Sequence, residues 1–160
     1  MENIASLQNF DSVWQRVSHS ADPAGIPAAG NDRAALQYMI QKEHESHSLY
    51  KYLASHTNGK NSARFTAMAA DEARHLKRLQ LEYLLLTGDS YAPAAFVIPR
   101  EGNVTLIRMA YMDEAAAEKG YLDAARTTQN QNLQKIYLAH SADENRHGMY
   151  LRSMLINAMK

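Results

Sequence analysis

A six-residue segment, Ala70-Asp71-Glu72-Ala73-Arg74-His75, returns as Ala142-Asp143-Glu144-Asn145-Arg146-His147, 72 positions further on and with five of six residues retained. Each copy sets a carboxylate and an imidazole three residues apart. Residues at i and i+3 share a face of a helix. Glu72 with His75, and Glu144 with His147, therefore each aim an oxygen and a ring nitrogen at one point. A helix holds a transition metal in this way, and two copies suggest two ions.

The repeat extends beyond the hexapeptide. Glu43 is followed seven residues later by Tyr50, and Glu114 by Tyr121 at the same interval. Glu43 and Glu114 are 71 apart, close to the 72 that separate Glu72 and Glu144. The unit is thus a helix pair, its first helix carrying Glu and Tyr, its second Asp-Glu-x-Arg-His. Two such hairpins make an all-α four-helix bundle with pseudo-twofold symmetry.

The hydrophobic spacing supports this. Helix-favouring residues dominate, whereas Gly (7) and Pro (4) are scarce in the 160 residues. Four helices are expected, A over 32–57, B over 61–87, C over 103–126 and D over 131–158. Helix A has the stripe Leu36, Met39, Ile40, Tyr50, Leu53, with Glu43 and His47 upon it. Helix B turns Phe65, Met68, Ala69, Leu76, Leu79, Tyr83 and Leu86 inward around Glu72 and His75. Helix C contributes Ile107, Ala110, Ala117, Tyr121 and Ala125 around Glu114. Helix D buries Leu133, Ile136, Leu151, Met154 and Ala158, with His140, Glu144 and His147 on the same face. Asn58-Gly59 reads as a helix stop, Asn61 and Asn103 as N-caps, and Thr87-Gly88-Asp89 as the end of helix B. The stretch from Gly88 to Gly102 holds Pro93 and Pro99 and has no helical period. About 15 extended residues reach ~50 Å, whereas a helix of about 27 residues is ~40 Å long. The connection can cross the whole bundle and start helix C parallel to helix B. Residues 1–30 read as an N-terminal arm and linker, with Trp14 as an anchor, and 31–160 as the bundle.

Six polar residues fall on the inner stripes: Glu43, Glu72, His75, Glu114, Glu144 and His147. A buried carboxylate without a partner costs several kcal/mol, and four at one level of a core push each other toward protonation. Two divalent ions balance four carboxylates, and two imidazoles complete the set. Imidazole with carboxylate suits iron or manganese, and also admits zinc. The formal net charge of zero gives no general attraction to nucleic acid or anionic lipid. With no cysteine, disulfides, thiolate metal sites and a built-in rubredoxin-type iron centre are excluded. The first residues show neither a basic nor an apolar leader region, and no apolar run approaches the ~20 residues of a membrane span. A cytoplasmic protein with no membrane partner is expected.

A Glu from each of two helices and Glu-x-x-His from the other two is the pattern of ferritin-like di-iron and di-manganese proteins. From residue 32 to about 158 the chain resembles the ferritin-like superfamily, and the short rubrerythrin-type diiron proteins most closely. The resemblance implies two iron ions, with Glu72 and Glu144 bridging. It implies Glu43 and His75 on one ion, Glu114 and His147 on the other. It further implies that Asp71 reaches His147, that Asp143 reaches His75, and that Arg74 and Arg146 balance their charge. Rubrerythrins carry an extra Glu three residues after the helix C ligand. That position is Ala117 here, Glu118 is the nearest substitute, and His47 is its helix A counterpart. Without a rubredoxin domain, electrons come from an external donor protein or from the substrate. The activity implied is reduction of peroxide or O2, or ferroxidase action, in a homodimer. Histidine at both motifs also resembles bacterioferritin and the oxygen-activating diiron enzymes.

Each feature has a plainer reading. A single Glu-x-x-His is usually a surface pair; two copies on apolar stripes, each preceded by another inward Glu, are not. Tyr50 and Tyr121, two turns from the ligands, read as core residues before redox relays. His47, His140 and Glu118 read as neighbours of the ligands before ligands. The eight methionines read as core filling. The rival functions are an O2-activating hydroxylase, iron storage in a cage, and a structural protein with a relic site.

Overall fold

The computed structural model describes residues 31–160, all α-helix and connecting segments. The expected arm and linker, including Trp14, lie outside the described residues. Helix α1 is Asp32–His56, α2 Gly59–Thr87, α3 Asn103–Thr127 and α4 Gln131–Ala158. No helix among the described residues is long and apolar enough to cross a membrane.

The tight pairs are the hairpins α1–α2 and α3–α4. Contacts at helix ends give the directions. Asn103 at the start of α3 donates to the carbonyl of His56, at the end of α1 (2.8 Å). Thr128, just past α3, donates to Asp32 at the start of α1 (3.0 Å). Asn132 at the start of α4 donates to Glu82 near the end of α2 (2.8 Å). So α1 opposes α3, α2 opposes α4, and α3 runs parallel to α2. Residues 88–102 accordingly climb the length of the bundle beside α1. Tyr91 packs on Tyr83 with ring centroids 5.3 Å apart. The Gln41 side chain accepts from the Ala94 amide at 2.8 Å, and Phe96 and Ile98 join the core further on.

The core is two apolar clusters with a polar layer between them. One gathers residues such as Leu36, Ile40, Leu79, Tyr121, Leu133 and Tyr137. The other gathers Leu53, Phe65, Met68, Leu106, Leu151 and others. A fully buried aliphatic or aromatic side chain contributes about 1.5–3 kcal/mol, so the clusters supply the stability that a layer of buried charge withdraws.

Several details differ from the sequence reading. Asn58 and Gly59 begin α2 rather than ending α1: Asn58 is the N-cap and Gly59, at φ +59°, the first helical residue, two positions before Asn61. Asn103 is inside α3, whose N-cap is Gly102; its amide is occupied by the end of α1. Leu86 is exposed and Ala158 lies at the frayed end of α4, also exposed. Helical phase alone turns both inward, but each lies in a last turn with no facing helix to cover it.

Candidate metal centre

Periodicity on four helices brings six side chains to one level. Glu43 comes from α1, Glu72 and His75 from α2, Glu114 from α3, Glu144 and His147 from α4, and all are at most 4% exposed. His75 Nδ1 lies 3.4 Å from Glu43, 3.6 Å from Glu72 and 3.1 Å from Glu144. His147 Nδ1 lies 2.8 Å from Glu72, 3.3 Å from Glu144 and 3.8 Å from Glu114. Two groups result. Glu43, Glu72, Glu144 and His75 form one, Glu114, Glu72, Glu144 and His147 the other, and in each the ligand atoms lie within 4.8 Å of one another. Glu72 and Glu144 belong to both, which is the disposition of bridging carboxylates.

Buried atoms without a hydrogen-bond partner test whether a metal fits. Glu43 Oε2, Glu72 Oε1, Glu144 Oε1, His75 Nδ1 and His147 Nδ1 all lack one. Buried polar groups are rarely left unpaired, and five on facing walls of one layer require a common partner. Bonds of about 2.1 Å meeting at near right angles separate their donor atoms by about 3 Å. The spacings around each Nδ1, from 2.8 to 3.8 Å, bracket that value, so two first-row divalent ions suit the donors.

A second ring of contacts orients these donors. His75 Nε2–H donates to Asp143 at 3.0 Å and His147 Nε2–H to Asp71 at 3.1 Å, each to the motif of the other repeat. With Nε2 committed, Nδ1 is the nitrogen that faces the carboxylates. Arg74 bonds Asp71, while Arg146 bonds both Asp143 (2.6 Å) and Asp71 (3.0 Å). The tyrosines also cross between repeats: Tyr50 donates to Glu114 Oε1, and Tyr121 to Glu43 Oε1. The sequence spacing had paired each Tyr only with the Glu of its own helix. In the bundle that Glu is two turns away, and the hydroxyl reaches across to the opposing helix.

The electrostatics divide the carboxylates. Burial, then the charge of Glu144, raises Glu43 and Glu114 well above the ordinary carboxylate range. Burial opposes ionisation of Glu72 and Glu144 too, but close polar neighbours outweigh it and hold both below that range, those of Glu144 led by the His147 and His75 rings. Burial also disfavours charge on the imidazoles. The glutamates crowded around them, Glu144 foremost, nevertheless lift His75 well above its usual value and His147 to about 10. Burial and neighbouring carboxylates keep Tyr50 and Tyr121 protonated as donors.

Two other residues marked in the sequence sit away from this layer. His47 is half-buried, with Nδ1 2.8 Å from the Ala69 carbonyl. Glu118 accepts from Asn145 at 3.1 Å. Ala117, where rubrerythrins place their extra Glu, lines a cavity of about 200 Å³ between α1, α3 and the crossover. Its walls include Met39, Leu49, Phe96 and Leu106, and it reaches Glu43 and Tyr121. Sequence reasoning had not found Glu82, whose buried carboxylate takes Arg78 (2.9 Å) and Asn132 (2.8 Å); no periodic signal distinguishes it from a surface Glu.

A four-helix bundle with a crossover between two hairpins, and a buried layer of four Glu and two His, is the ferritin-like carboxylate architecture. The family model described as rubrerythrin matches residues 34–155, and the chain belongs to that family. Comparison with curated proteins and with solved structures returns no match.

Proposed function

We propose that this chain is a dinuclear non-haem iron or manganese oxidoreductase that reduces peroxide or O2, or oxidises Fe(II), with electrons from an external donor protein in the cytoplasm. The observation that carries the reading is the set of unpartnered donor atoms of Glu43, Glu72, Glu144, His75 and His147 in one buried layer. Glu43 and His75 would hold one ion, Glu114 and His147 the other, with Glu72 and Glu144 shared. When bound, such a pair supplies two electrons at one place.

The chain's residues prepare that place. Asp71 and Asp143 fix the imidazoles, leaving each Nδ1 turned inward. Tyr121 and Tyr50 tie one oxygen of Glu43 and of Glu114. Tyr121 and Glu43 both line the cavity and are hydrogen-bonded to each other, which offers a proton a short path between substrate side and core. Met39, Leu49, Phe96 and Leu106 give the cavity an apolar side, and Lys42, Glu45, Ser46 and Asp113 a polar one. A second reading, O2-dependent hydroxylation of a small apolar molecule, is favoured by that cavity alone.

Anaerobic loading with Fe(II), followed by peroxide or O2 under optical observation, tests the proposal. Two ions per chain and faster oxidation by peroxide support peroxide reduction. Faster reaction with O2, coupled to change of an organic substrate, supports the second reading. Glu72→Ala, which removes a shared donor, is expected to take metal content below one ion per chain by elemental analysis. Unchanged content in that variant refutes the centre.

A further inference from the structure

The two halves of the centre are not equivalent, and the difference lies at one position. The repeat of 72 residues matches His140 with Met68. Both are core positions, with Met68 1% and His140 7% exposed. Met68 packs in an apolar cluster, as a thioether does. His140 does not behave as core filling. Its Nδ1 is buried without a hydrogen-bond partner. Its ring stacks on His75 with centroids 3.9 Å apart and planes 21° apart. Tyr121 meets it edge-on at 5.2 Å. It precedes Glu144 by one helical turn and therefore shares that residue's face.

We propose that His140 is a further metal donor, which makes the ion on the Glu43 side a two-imidazole site and the first to fill. The proposal rests on the dinuclear reading above. One ligand atom each from Glu43, His75 and His140 lie within 4.8 Å of one another. Glu43 Oε2, the facing carboxylate oxygen, is unpartnered as well. One ion meets both atoms once the His140 ring turns out of its stack on His75, since near-parallel rings do not aim their in-plane nitrogens at one point. The Glu114 side offers His147 as its one imidazole, because the repeat puts Met68 where the second would stand. Imidazole donors favour the later first-row ions over manganese. The Glu43 side is thus selective for iron, cobalt or zinc, and the Glu114 side, with as many carboxylates but one imidazole fewer, is more permissive.

The test uses the full chain and Co(II), with no turnover required. Calorimetry gives two binding steps. At one equivalent, proton NMR counts the hyperfine-shifted imidazoles on the bound ion. Wild type is expected to show two, and His140→Met, which copies the other repeat and conserves volume, to show one. The same variant is expected to weaken the first step about tenfold or more and leave the second nearly unchanged. Circular dichroism checks its fold; if it does not fold, the wild-type count alone decides. One imidazole in wild type, or an unaltered first step in the variant, overturns the role of His140 while leaving the dinuclear centre standing. No Co(II) binding to wild type overturns both.

Discussion

Burial raises all four carboxylates, yet only Glu43 and Glu114 end well above the ordinary range, while Glu72 and Glu144 end below it. The His75 and His147 rings, close beside them, help hold the second pair ionised. The protein's own groups thus balance two carboxylates against two imidazolium rings. Two divalent ions can replace the protons on Glu43, Glu114, His75 and His147 without changing the charge of the layer. Loading is therefore expected to release protons, measurable as the buffer dependence of the calorimetric heat. The sign follows from the raised pKa values: protons compete at low pH, so affinity rises with pH. The release shrinks as pH passes about 10, where His147 is half deprotonated. Zero release at pH 6 contradicts this charge balance. Tyr121→Phe removes the donor to Glu43 Oε1. Loss of such an orienting partner costs about 10–100-fold in metal affinity, so the variant should bind two ions but more weakly in a chelator competition. At this scale the six converging residues were legible, because i, i+3 spacing and the repeat put them on known faces; the crossed Asp–His pairs came from the family resemblance and not from the spacing. The crossed tyrosines were not legible, because periodicity identifies a face but not which opposing helix a long side chain reaches.

Helix phase was legible over the long middles of the elements, where an apolar stripe has a facing partner at every turn. The ends depended on tertiary contacts that local propensity does not encode. Asn58-Gly59 has the composition of a stop, yet α1 ends at His56 and the following chain re-enters a helix at once. Asn103 has the composition of a cap, yet it serves the last turn of α1. Gly88 is the terminator whose local chemistry suffices. It adopts φ +80°, and its amide donates to the Leu84 carbonyl at 2.8 Å. A Cβ added there meets nothing within 4 Å, so only the left-handed backbone opposes a side chain. Gly88→Ala is expected to lower stability by about 1–2 kcal/mol, read by urea denaturation, with metal content unchanged. A neutral effect would mean that the helix end relaxes to another conformation.

At the scale of the molecule, the repeat and a connection long enough to span the bundle made the topology readable. The role of residues 1–30 and the expected homodimer are not decided by a repeat within one chain. What the fold adds is the position of the polar layer. It separates the two apolar clusters, and every helix contributes to it. The hairpins are tightly packed internally and meet each other more sparsely. Ions shared by Glu72 of one hairpin and Glu144 of the other would therefore tie the halves where packing is thinnest. An ion present at about 100 times its Kd stabilises the native state by about 2.7 kcal/mol. For a chain of this size that corresponds to a Tm increase of roughly 5–10 °C. Scanning calorimetry of the metal-loaded protein should show one cooperative transition, displaced upward by that amount. Excess chelator should return it to the lower temperature. Glu72→Ala should abolish the displacement while retaining a folded baseline, since it also removes one of the repelling carboxylates. If loading leaves Tm within a degree of the chelated sample, the ions do not bridge the hairpins and the layer is not the site that binds them.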